Sequence, residues 1–409
     1  MVPQSIFEKA GNNKSGAAVL VWIYGGGYTE GSKSGSGDPA GLIARSMYNK
    51  KQGVIYVAMN YRLGAFGWLA GPSFQADGTA NAGLYDQRFA LQWVQDNIHL
   101  FGGDKNKVTV IGESAGGGSI MHQITAYGGQ QGVPFKQAIM QSPGFLPQAS
   151  NNQLEAQYND FLSIANVSDI AGLRALSTEA LQAANTVAVW QSMWGTFNFG
   201  PAVDGYFVPA MPGKLLLDGD FSEDLKIMVG HNSDEGLLFT DPFVNTSALF
   251  TERMQEAFPA ATNATISYIT DVLYPSEAFP DQISRYALAS SEFSFTCNTR
   301  YFDLAFKNKT YSYYFSIPPG LHGEDIPYTY FNGPSSSVVN ATAAIALQDF
   351  IVTFTEGGAP KSPDVPNAPA FGMYGANSTV EDIGASSITR IKDTVANSRC
   401  DWWQRALYV

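Results

Sequence analysis

Cysteine and histidine are scarce in this chain, with two and four among 409 residues. Two thiols cannot form a metal site on their own. Basic residues are also few: 24 Lys and Arg face 36 Asp and Glu, a net charge of −12, so the clustered cations that nucleic-acid phosphates need are missing. No apolar run reaches the length of a membrane span, no secretory leader pattern begins at Met1, and neither repeats nor low-complexity tracts occur. What is present is an apolar content of 45 %. In a chain of this length that suffices for a large α/β core, arranged as one domain or with a modest helical subdomain.

Strand-like apolar runs fall at residues 17–24, 54–61, 108–111, 137–141, 225–230 and 311–317, and they alternate with helix-compatible stretches such as 86–99, 119–127 and 341–355. That order predicts a mostly parallel sheet covered by helices on both faces. Two helix-rich insertions, 154–206 and 248–307, are placed to wall a substrate pocket, and the Pro-rich stretch 357–369 reads as a loop.

The run Val108 to Ile111 leads into Gly112-Glu113-Ser114-Ala115-Gly116, followed by a helical segment. A serine in a G-x-S-x-G turn between strand and helix stands clear of the backbone, because the flanking glycines let neighbouring chain pass without a Cβ clash. The N–H of Ala115, opening the helix, is suited to bind a developing oxyanion. A bare motif of this kind arises by chance in a chain with 41 glycines; its strand–turn–helix setting gives it weight.

A serine nucleophile needs a histidine base and an acid to orient that base. His99 ends a helix and reads as a surface residue. His122 lies eight residues beyond Ser114 on one helix, roughly 12 Å along its axis, too far to take the proton, and reads as packing or surface. His231 ends a strand too near the acid candidates to be a separate member. His322 remains, in the loop Gly320-Leu-His-Gly-Glu-Asp325 after a strand. For the acid, Asp234 and Glu235 stand together past the 225–230 strand, and residue chemistry does not choose between them. Asp204 is a third candidate whose context reads as a turn residue bonding its own backbone. The second half of an oxyanion hole is expected at Gly25-Gly26-Gly27, where a buried-type strand runs into unshielded backbone N–H groups.

These segments, with Asn60-Tyr-Arg-Leu-Gly-Ala-Phe-Gly-Trp68, Asn81-Ala-Gly-Leu-Tyr-Asp-Gln-Arg88 and Phe101-Gly-Gly-Asp104, resemble the type-B carboxylesterases, the family of cholinesterases and fungal lipases of the Candida rugosa type. The resemblance implies an α/β-hydrolase fold over residues 1–409 and a triad of Ser114, Glu235 and His322, which selects Glu235 over Asp234. It also implies an oxyanion hole from Gly26, Gly27 and Ala115, with Ser142 supporting histidine and acid and Glu113 stabilising the site electrostatically. No cofactor or metal is implied. Trp190, Trp194, Phe197 and Phe199 fall in the first insertion, where the family places acyl-pocket aromatics, and Phe197 is the best candidate.

The resemblance further implies a Cys297–Cys400 disulfide, while Val167 and Gly172 stand where a second family disulfide is usual. Family members carry a longer segment before the triple-glycine strand, so the chain is expected to lack an N-terminal part that includes the lid. Sequons at Asn13, Asn166, Asn245, Asn263, Asn308, Asn340 and Asn377 suggest a secreted glycoprotein. The aromatic insertion without a lid favours short or medium acyl esters over triglycerides or choline esters. The alternatives are a catalytically dead binding or adhesion relative, against which the complete Ser-Glu-His set argues, and an inactive fragment.

Overall fold

The computed structural model describes residues 1–8, 10, 16–363, 365 and 368–409. The sequon at Asn13 lies outside the described residues. The strands are β1 (Ala17–Ile23), β2 (Ile55–Ala58), β3 (Gly103–Glu113), β4 (Gln137–Gln141), β5 (Lys226–Asn232), β6 (Tyr311–Phe315), β7 (Thr379–Ile383) and β8 (Ile388–Lys392). They form one eight-stranded sheet in the order β2-β1-β3-β4-β5-β6-β7-β8. Every pairing is parallel except β7 with β8.

Every residue of β1 and β4 is buried. Successive strand side chains point to opposite faces, so burial of all of them means cover on both faces, which explains the unbroken apolar run AAVLVWI. The helices used below are α1 (Ala82–Asn97), α2 (Ala115–Thr125), α3 (Asn151–Ala165), α4 (Ile170–Ala175), α5 (Thr178–Trp190), α6 (Cys297–Ala305), α7 (Ala341–Gly357) and α8 (Ser398–Trp403). All residues of α2 are buried. It carries Gly116, Gly117 and Gly118 where the strand ends press closest: a Cβ on Gly116 would stand 2.0 Å from the Ile23 carbonyl oxygen.

The strand order reverses beside β1: β2 lies on one side, and β3 onward builds the other. The carboxyl ends of β1 and β3 therefore flank a switch point, where open α/β sheets place their ligands. The triple glycine follows β1 and Ser114 follows β3. Two strands escaped the sequence reading. β7 (TVEDI) and β8 (ITRIK) are short and partly exposed, and β8 is an edge strand guarded by Arg390 and Lys392. β3 also begins earlier than its apolar segment: Gly103 pairs with Ala17, and the polar residues 104–107 lie in a register shift before pairing with β1 resumes at Val108. The disulfide joins Cys297, at the start of α6, to Cys400 in α8, with Cα atoms 5.1 Å apart and both residues buried. Among the described residues no helix is long and apolar enough to cross a membrane.

Candidate active site

Ser114 sits between β3 and α2 at φ 56° and ψ −124°, a backbone conformation that costs of order 1–3 kcal/mol in a residue with a Cβ and persists only when neighbours enforce it. The enforcers are visible: the Ser114 N–H donates to the Gln141 carbonyl at 3.0 Å, and the Gly144 N–H donates to the Ser114 carbonyl at 2.9 Å. The close approach of Gly116 to β1 requires the absence of a side chain there.

Glu235 opens a short 3₁₀ turn just after β5 and is fully buried. The Ser142 hydroxyl donates to its Oε1 at 2.6 Å and the Asn232 N–H to the same oxygen at 2.5 Å, while Oε2 pairs with His322 Nδ1. Of the two adjacent carboxylates, Glu235 is the one that meets the histidine. Asp234 is tied through its backbone to Gly320, and Asp204 bonds the N–H groups of Tyr206 and Val208 as a turn residue. His322 is flanked by the rings of Phe295 and Phe239, at centroid distances of 4.3 Å and 5.1 Å. Its Nε2 lies 3.3 Å from Glu113 Oε1 and makes no hydrogen bond, so the structure does not close a bond between His322 and Ser114. Such bonds are often long without substrate.

Burial alone would push the Glu235 carboxyl up, but the imidazole charge, the His322 and Ser142 hydrogen bonds and the Asn232 N–H outweigh it and hold it below its usual range. Burial opposes the charged form of His322, yet Glu235 and Glu113 prevail and raise it to about 9. Glu113 is raised to about 8, chiefly by burial, with His322 pulling the other way. The remaining histidines stand apart. His99 is exposed, His231 is buried with Nδ1 2.9 Å from the Asn232 carbonyl, and His122 is buried with Nδ1 2.7 Å from the Gly118 carbonyl and is lowered to about 4 by burial.

A cavity of about 410 Å³ opens on Ser114, within the range of small-molecule sites, and Gly27, Ala115, Phe197 and Phe199 line it. Gly27 has φ 57°, and a Cβ there would stand 2.4 Å from the Phe197 ring. Trp190 and Trp194 do not line this cavity; they are 85 % and 55 % exposed. Phe239 and Phe295 also line the cavity, unforeseen because neither belongs to a motif. Among the described residues no cluster of three or more His, Cys, Asp or Glu side chains could hold a metal ion.

Sheet order, switch-point position and elbow together define an α/β-hydrolase fold. The chain belongs to the carboxylesterase family, whose model matches residues 2–403. It is a carboxylic ester hydrolase. It is 39 % identical to carboxylesterase patB of Aspergillus clavatus over 99 % of this chain and 74 % of that protein. It is 35 % identical to lipase 4 of Diutina rugosa over 80 % of this chain and 65 % of that lipase. In structure it resembles Aspergillus niger EstA with a TM-score of 0.83 at 23 % identity, over 96 % of this chain and 80 % of that one.

Proposed function

We propose that the whole chain is one hydrolase domain that cleaves carboxylic esters through an acyl-enzyme on Ser114. In this reading His322 takes the proton from Ser114 as the hydroxyl attacks the ester carbonyl, and the N–H groups of Gly26, Gly27 and Ala115 hold the oxyanion. Glu235 orients the imidazole and balances its positive charge. His322 then returns the proton to the leaving alcohol, and water repeats the cycle on the acyl-enzyme. The observation that carries this reading is the Glu235 carboxylate, fully buried yet bonded to both His322 and Ser142, in a fold that also holds a strained serine at a cavity. A buried charge is retained only where it is paired.

The preferred substrates are short or medium acyl esters in solution. The aromatic wall of Phe197 and Phe199 and the modest cavity support this. The chain is further proposed to act outside the cell as a glycoprotein. It is 32 % identical to a protein named as a secreted lipase of Arthroderma benhamiae. Asn166, Asn245, Asn263 and Asn377 are the exposed sequons among the described residues, whereas the Asn340 amide is engaged at the start of α7 and with the Ala385 carbonyl. The test is Ser114→Ala, which should abolish turnover of p-nitrophenyl butyrate while the melting temperature is kept. Undiminished activity in a folded variant would reject the mechanism.

A further inference from the structure

β4 ends at Gln141, and Gln141 and Ser142 together reach the segments that carry all three proposed triad residues. The Gln141 carbonyl accepts the Ser114 N–H at 3.0 Å, and the Ser142 hydroxyl bonds Glu235 at 2.6 Å. The third link is the Gln141 side chain. Its Nε2 donates to Asp325 Oδ2 at 2.9 Å, to Thr329 Oγ1 at 3.0 Å and to the Tyr313 hydroxyl oxygen at 3.2 Å. The Tyr313 hydroxyl in turn donates to Asp325 Oδ2 at 2.7 Å. Asp325 stands three residues beyond His322 in the same loop, and both Gln141 and Asp325 are wholly buried.

Chemistry sets the direction of this amide: a carboxylate oxygen only accepts, so the NH₂ end of Gln141 must face Asp325. A buried network of this kind restricts the groups it joins.

We propose that Gln141 is a positioning residue that, through Asp325, ties the His322 loop to the strand end that also holds Ser114. It touches neither substrate nor reacting atoms. Its effect is to set the distance between nucleophile and base, a quantity whose error of about 1 Å costs a rate factor on the order of a hundred. The inference rests on the hydrolase reading above.

Gln141→Met removes the donor and keeps the volume, and Asp325→Leu removes the acceptor. With active sites counted by fluorophosphonate titration, each variant should lose about tenfold or more in kcat on p-nitrophenyl butyrate with KM within about twofold. The double variant should lose no more than the worse single one, because both changes break one connection. Asp325→Asn keeps a carbonyl oxygen for both donors and should retain most of kcat; with Asp325→Leu it decides the matter even if Gln141→Met does not fold. Losses that multiply in the double variant, a change confined to KM, or an Asp325→Asn loss as large as that of Asp325→Leu would each overturn the inference. A wild-type enzyme whose Ser114 resists the probe would instead defeat the hydrolase reading itself.

Discussion

At His322, three buried carboxyl groups, Glu113, Glu235 and Asp325, bear on one imidazole, and their balance decides when the ring is a base. The ring is held protonated up to about 9, above the ordinary 6.5 of histidine, and acyl transfer needs the neutral form. On this account kcat/KM climbs with pH from neutrality into the alkaline range. Glu113→Gln removes a carboxylate 3.3 Å from Nε2 that favours the imidazolium, so the acid limb should move toward lower pH, as a kcat/KM profile will show; an unmoved or upward-shifted limb contradicts the argument. The same sign governs stability. A histidine raised in the fold contributes stability that is complete below about 6.5 and is lost as pH rises through about 9. Glu235→Gln leaves the shape but weakens the orientation and charge balance of the ring, and kcat should drop on the order of 10³-fold with little change in KM. Asp234→Asn should change neither; the reverse pattern would move the acid to Asp234.

Among elements, the elbow depends on how closely α2 approaches β1. Gly116→Ala sets a methyl 2.0 Å from the Ile23 carbonyl oxygen, so the helix must shift and carry Ser114 with it. The expected result is loss of ester turnover with at most modest unfolding by circular dichroism, and an active variant would show the contact to be compliant. The Cys297–Cys400 bond ties α8 to α6 across a sequence separation of 103. Replacing both cysteines by alanine should lower the free energy of unfolding by about 2–5 kcal/mol in urea melts. A change well under that range would mean that packing of α8 alone suffices. This scale also shows what the sequence discloses. The elbow, the triple glycine and the buried strands were legible because each has a local signature of glycine spacing or continuous apolar residues. β7 and β8 were not, since they are short, lack a continuous apolar run and include charges. Glu235 could be separated from Asp234 only through family resemblance, because the choice is made by the direction of a side chain past β5. Phe239 and Phe295 meet the His322 ring, and Gln141 meets Asp325, only after distant segments come together, and no spacing in the chain announces these contacts.

In the molecule as a whole, one sheet brings residues 25–27, 114, 235 and 322 to the same carboxyl edge, and the insertion holding α3, α4 and α5 supplies Phe197 and Phe199 to the cavity through the segment that follows α5. A cavity of about 410 Å³ with an aromatic wall suits short and medium acyl groups. In a chain-length series of p-nitrophenyl esters, kcat/KM should peak at short to medium acyl chains, with no rate jump on emulsified long-chain triglyceride; a rise above the substrate's solubility limit would mark a lipase instead. The central claim is that Ser114 is the nucleophile of a serine hydrolase. It is tested most directly by labelling the folded protein with a fluorophosphonate and mapping the adduct by mass spectrometry. The account predicts stoichiometric modification of Ser114 alone, with ester turnover lost in proportion; modification of another residue, or full activity after Ser114 is labelled, would contradict it.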